Sequence, residues 1–195
     1  MRTSHRHFRS GIRKLDNLIN FYICEVSFAS VADFRYIKVS EGGHYQDPQA
    51  EHNSVMAASR MMHIGTYHFF LDNVKSEKQL HNFLAARGRC SWNLMPVIDY
   101  EADGFHSSVS EHSRQATLIK LYHLLERHDG RAPIIYCSIF EYLKLKRTLP
   151  KAKFWVGDPN FGFGTIRQEK KAFGNDELDF DQANLKDIIF LPPNS

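Results

Sequence analysis

Residues 95–101 read Met95-Pro96-Val97-Ile98-Asp99-Tyr100-Glu101, an apolar run of the kind that fills a buried strand, ending in two acids. Positions i and i+2 of a strand project from the same face, about 7 Å apart along it, so Asp99 and Glu101 can meet one substrate together. Two carboxylates that close, shielded from water, repel each other, so one keeps its proton toward neutral pH while the other stays ionised. Cleavage of a glycosidic bond needs that division: an acid protonates the leaving oxygen and an anion steadies the oxocarbenium-like centre. An Asp-x-Glu at a strand end also serves as a solvated loop cap, so the motif needs its surroundings.

Working outward, the chain alternates strand and helix. Phe34 to Val39 reads as a strand, Pro48 to Met62 as a helix, and Ile64 to Phe70 as a second strand. A helix from Ser76 to Arg87 leads into the Met95–Glu101 strand. The next helix is marked by Ser108 with Glu111 as a capping box, by the apolar face Leu118, Leu121, Tyr122 and Leu125, and by a stop near Gly130. Strand Ile134–Cys137, helix Phe140–Arg147, strand Phe154–Gly157 and strand-like Glu177–Phe180 complete the series. Such alternation implies parallel pairing with right-handed crossovers, hence a barrel or a doubly wound sheet. No G-x-G-x-x-G follows a strand and no Walker loop occurs, so a nucleotide fold has little support. In a parallel barrel the chemistry lies at the carboxyl ends of the strands.

At 195 residues the chain suits one well-buried core. No apolar stretch approaches the roughly 20 residues a membrane helix needs, so membrane insertion is not expected. The basic start, Met1 to Arg9, is followed by Gly11-Ile12-Arg13-Lys14 rather than an apolar core, so no secretory signal is read. Net charge is only +3, with basic residues bunched at 2–14 and 144–153, two solvated surfaces or a modest attraction to an anionic polymer. Cys24, Cys90 and Cys137 form no C-x-x-C and read as free thiols. The 11 histidines include no H-E-x-x-H, and His63 and His68 would face opposite sides of a strand, so neither metal nor cofactor is expected.

Three stretches in order, Phe34-Arg-Tyr-Ile-Lys-Val-Ser-Glu-Gly-Gly-His-Tyr-Gln-Asp47, Ile64-Gly-Thr-Tyr-His-Phe-Phe70 and Met95-Pro-Val-Ile-Asp-Tyr-Glu101, resemble glycoside hydrolase family 25, the Chalaropsis-type lysozymes. That family carries an I-K-A-T-E-G-like strand end, a G-A-Y-H-F-like strand and a P-V-L-D-x-E-like strand with similar gaps. Ala132-Pro-Ile-Ile-Tyr-Cys-Ser138, Phe154-Trp-Val156 and Leu178-Asp-Phe-Asp181 resemble its I-I-Y-T, L-W-V-A and V-D-L-N segments, extending the likeness over residues 34–182.

The resemblance implies an irregular TIM-like β/α barrel, a single domain spanning residues 21–195, with a basic segment at 1–20 that borders or joins the first barrel unit. It implies a muramidase that hydrolyses the β-1,4 bond between N-acetylmuramic acid and N-acetylglucosamine in bacterial peptidoglycan. Glu101 would be the general acid. Asp99 and Asp179 would orient and stabilise the substrate's own N-acetyl group. Glu41, Tyr67, His68 and Tyr136 would line the sugar groove, where aromatic and hydroxyl side chains suit a sugar's apolar face and hydroxyl fringe. A monomer that binds no nucleic acid is expected, reaching the wall through phage lysis, in a virion or by dedicated export.

Two departures stand out. The family's opening G-I-D-V-S-like strand is replaced by Gly11-Ile12-Arg13, with Asp16 three residues on, or by Cys24-Glu25-Val26-Ser27. The first carboxylate has thus moved to Glu25, the reading we prefer, or to Asp16, or is lost. Where the family has a Trp-Gln pair near its last strands, this chain has Ile166-Arg167-Gln168. These changes leave two rivals, a weakened barrel that binds peptidoglycan or builds a virion, and a hydrolase of chitin. The chitinase D-x-x-D-x-D-x-E run is absent ahead of Asp99.

Overall fold

The computed structural model describes residues 34–59, 62–157, 166–173 and 176–190, with residues 166–173, 176–182 and 185 described in backbone alone. Strand β1 (Phe34–Glu41) and the two-residue β2 (Tyr45–Gln46) form a hairpin. There follow α1 (Ala50–Ala58), β3 (His63–Phe69), α2 (Ser76–Arg87), β4 (Val97–Tyr100), α3 (Glu111–Asp129), β5 (Ile134–Cys137), α4 (Ile139–Thr148), β6 (Lys153–Val156), β7 (Ile166–Phe173), β8 (Asp176–Ala183) and α5 (Leu185–Ile188). The strands form one sheet in the order β2-β1-β3-β4-β5-β6-β7-β8. Strands β1, β3, β4, β5, β6 and β7 run parallel, with β2 and β8 antiparallel at the edges. This is the irregular α/β barrel architecture, its sheet not closed among the described residues. Helices cross between β3 and β4, β4 and β5, and β5 and β6, as parallel pairing demands.

Strand β4 shows how the sheet is held. Its four residues are all buried, yet Ile98 and Tyr100 join the outer cluster under the helices with Val39, Phe70, Leu118 and Leu121, while Val97 joins an inner cluster with Tyr36, Tyr67, Ile134, Tyr136 and Trp155. Full burial of each such large apolar side chain contributes about 1.5–3 kcal/mol. The inner layer depends on Gly65: a Cβ there would lie 2.1 Å from Cε1 of Tyr36, whose hydroxyl donates to Met95 O at 3.0 Å.

Several boundaries differ from the sequence expectation. Helix α1 is shorter than residues 48–62, running Ala50–Ala58. Helix α3 is capped by Ser110, whose hydroxyl accepts the Ser113 amide at 3.2 Å. Ser108 lies two residues ahead of that cap, its hydroxyl turned to Nδ1 of His106 at 2.8 Å; Glu111 thus falls in the first turn, where a negative charge suits the helix dipole. Gly130 ends the helix at φ 69°, a left-handed position that glycine takes without strain. β2 was not expected; Nδ2 of Asn82 in α2 donates to the carbonyls of Glu41, Gly42 and Tyr45, fastening the hairpin.

At the other end of the strands, Arg87 and Asp129 close α2 on α3 through two bonds of 2.7 Å each. The Arg87 guanidinium also stacks 4.6 Å from the Trp92 ring centre.

Candidate active site

Register carries one rung of the inner face across five strands: Glu41 of β1, Phe69 of β3, Asp99 of β4, Tyr136 of β5 and Trp155 of β6. Glu101 follows β4 with its backbone still extended (φ −127°, ψ 162°), so its side chain takes the same face as Asp99. Both acids therefore stand at the carboxyl ends of parallel strands, as a barrel site requires.

Asp99 is 2% exposed, and its Oδ1 has no hydrogen-bond partner among the described residues. Burial, then the charges of Glu101, Asp103 and Glu41, hold its carboxyl well above the usual range, and Lys38 pulls the other way. Glu101 is half-buried; burial first and Asp103 second raise it, while a hydrogen bond from the Tyr136 hydroxyl lowers it. Repulsion alone would split the pair; here burial raises both. A carboxyl that keeps its proton above the ordinary glutamate range suits a general acid.

Glu41 and Lys38 reach this face together because of a bulge. The β1 ladder skips a residue between Lys38 and Ser40, so that Lys38 pairs with Tyr67, Ser40 with His68 and Glu41 with Phe69. Without the extra residue, side chains three apart would face opposite sides. With it, Nζ of Lys38 lies 2.8 Å from Oε2 of Glu41 and 4.7 Å from the Phe69 ring centre. Tyr67 sits one rung deeper on β3, its hydroxyl pushed up by burial and then by Asp99, Asp47, Glu101 and Glu41.

His68 does not join them. It is buried on the outer face, with Nδ1 2.8 Å from the Ser40 hydroxyl, Nε2 3.1 Å from Oε1 of Gln79 and its ring against Phe83. Oε1 of Gln79 can only accept, so Nε2 carries the hydrogen and Nδ1 accepts from Ser40. Burial lowers its pKa to about 4, with Lys38 contributing and the Gln79 bond opposing. The assignment of His68 to the sugar groove is therefore corrected: strand alternation places it opposite Tyr67, locked beneath α2. Asp179 lies in β8 opposite Lys170 in the ladder, described in backbone alone, and Glu25 and Asp16 lie outside the described residues.

A family model, glycosyl hydrolases family 25, matches residues 13–160. The chain belongs to glycosyl hydrolases family 25. Membership makes it a glycoside hydrolase, and the match begins ahead of both Asp16 and Glu25. Among curated proteins no sequence matches. Among solved structures, the chain is similar to a family 25 glycosyl hydrolase from Bacillus anthracis, at 24% identity and TM-score 0.63 over 76% of each chain. It is also similar to a muramidase from Acremonium alcalophilum, at 18% identity and TM-score 0.62 over 78% of this chain and 82% of that one. A bacterial lysozyme from Streptomyces coelicolor matches at 19% identity and TM-score 0.61, covering 78% and 81%.

Sequence reasoning missed Lys38 and Asp103 in this candidate site. Lys38 left a signal, since it alternates with Tyr36 on the inner side of a strand; Asp103, an exposed acid in the single 3-10 turn Ala102–Gly104, left none.

Proposed function

We propose that this family 25 chain is a lysozyme that cleaves the β-1,4 bond between N-acetylmuramic acid and N-acetylglucosamine in bacterial peptidoglycan, with help from the substrate's own acetamido group. The observation that carries the reading is the pair at the end of β4: a half-buried Glu101 raised toward its protonated form, next to a buried Asp99 with an oxygen left without a partner.

In this reading Glu101 gives its proton to the glycosidic oxygen as the bond to the anomeric carbon breaks. The acetamido carbonyl oxygen bonds to that carbon, and Asp99, ionised beside the positive charge that develops there, accepts the acetamido N–H through its open Oδ1. Asp179 of β8 is the second stabiliser. Water then attacks the anomeric carbon, the ionised Glu101 takes its proton, and the acetamido group is restored. Tyr136 orients Glu101, while Glu41 with Lys38 and Tyr67 shape the groove. The names of the similar structures, muramidase and lysozyme among them, support the substrate class.

The test is release of reducing ends from purified peptidoglycan by the native protein and by Glu101→Gln, with chitin alongside. The expected result is activity on peptidoglycan that the substitution reduces by on the order of 10²–10⁴-fold. A folded native protein inactive across pH and wall preparations would reject the reading and favour a binding role; preference for chitin would move the substrate.

A further inference from the structure

Glu101 opens a connection, residues 101–110, that no strand pairs with, although a general acid has to be held to within a fraction of an ångström. What holds it converges on one side chain. Asp72, from the loop after β3, has a fully buried side chain. Its Oδ1 accepts the His106 amide at 2.8 Å, its Oδ2 accepts Nε–H of Arg114 at 2.8 Å, and its own amide donates to Gly104 O at 3.1 Å. Arg114, in the first turns of α3, also donates to Val109 O at 3.3 Å and stacks its guanidinium 4.0 Å from the Phe105 ring centre.

The turn so gripped leads straight back to the acid. The Gly104 amide donates to Glu101 O at 3.0 Å. A Cβ on Gly104 would lie 2.1 Å from Phe70 O, so the turn is pressed against the end of β3. Phe105 packs 4.6 Å from Tyr100, the residue between the two acids. Apart from their bond to each other, the side-chain contacts described for these two residues end on residues 105–109, where a bridge serving only helix packing would end on the helix core.

We propose that Asp72 and Arg114 are positioning residues for the general acid: together they fix the 102–109 loop and thereby the aim of Glu101. Neither touches substrate. The activity part of the test rests on the lysozyme reading; the titration part does not.

The experiment compares native protein, Arg114→Ala and Arg114→Lys in kcat and KM on peptidoglycan, and follows the Glu101 carboxyl by carbon-13 NMR titration, with melting curves to verify folding. Loss of the clamp lowers kcat by on the order of 10²-fold while KM stays within about twofold. It moves the Glu101 midpoint down toward ordinary glutamate, because the freed loop admits water and carries Asp103 away; Asp99 and Tyr136, on their own strands, remain. Added guanidinium ion restores part of the kcat of Arg114→Ala, and Arg114→Lys falls between the two. Should Arg114→Ala fail to fold, Asp72→Asn, which keeps the side chain's shape, replaces it. A folded variant with an unmoved Glu101 midpoint and kcat within about threefold of native overturns the proposal. Native protein inactive on every wall, with the midpoint shift still present, would sink the lysozyme reading and leave the clamp standing.

Discussion

Gly157 makes room for Tyr136: a Cβ at position 157 would lie 2.4 Å from the Tyr136 hydroxyl oxygen. That hydroxyl donates to the Glu101 carboxylate, so an absent side chain on β6's end supports a bond on which the acid's titration depends.

Gly157→Ala should therefore push the Tyr136 ring away from Glu101. Overpacking of this kind costs about 1–3 kcal/mol, and the displaced donor should lower the rate of peptidoglycan cleavage by about tenfold. Thermal melting and initial rates on one preparation check it; a variant as fast and as stable as native would refute the contact.

Tyr136→Phe tests the bond directly. The hydroxyl stabilises ionised Glu101, so its loss raises the Glu101 pKa further. An acid catalyst works while protonated, and the alkaline limb of kcat/KM should move to higher pH. A limb that stays put, or moves down, contradicts the assignment of Glu101 as acid.

Asp99→Asn should separate stability from activity. The folded value of Asp99 is raised, chiefly by burial, so its stabilising neutral form is complete below the ordinary carboxyl range and is lost as pH rises through the folded value. Asparagine keeps the neutral shape at every pH. The variant should melt higher than native at alkaline pH, converge with it in acid, and lose on the order of 10²-fold in kcat. Melting scans against pH and reducing-end assays give both numbers.

His68 should make the fold sensitive to mild acid. Its pKa falls from 6.5 unfolded to about 4 folded, so the stability of its neutral form is present above 6.5 and is lost as pH falls toward 4, in total about 3 kcal/mol. Denaturant unfolding of native protein and of His68→Gln between pH 7 and about pH 4 should show a shallower loss in the variant. Parallel slopes would mean that another group titrates.

Much of this was legible in the chain. Helix α2 and strand β5 have the bounds the pattern implies, because an apolar face or a β-branched run between turn signals leaves few alternatives. The acid pair was legible too, since a strand's two-residue period fixes which side chains share a face. The same period, applied to Tyr67 and His68, already forbids both from lining one groove. The bulge at Val39 was not legible: it exists only in the pairing of β1 with β3, and it alone turns Glu41 inward beside Lys38. β2 likewise depends on Asn82, 37 residues from Tyr45 in the chain, and β7 on the antiparallel partner it finds in β8. The clamp of Asp72 on residues 104–109 joins loops whose composition reads as ordinary solvated turns.

The Arg87–Asp129 pair has a bearing on how such an enzyme can be altered. α2 has 12 residues, and a helix of that length spans about 18 Å, roughly twice the screening distance at physiological salt. The ions that anchor the helical shell thus lie at the pole opposite the Asp99–Glu101 pair. If Glu101 is the acid, charge changes made around Arg87 should shift thermal tolerance and leave the pH optimum in place, so heat resistance and reactivity would be open to separate selection.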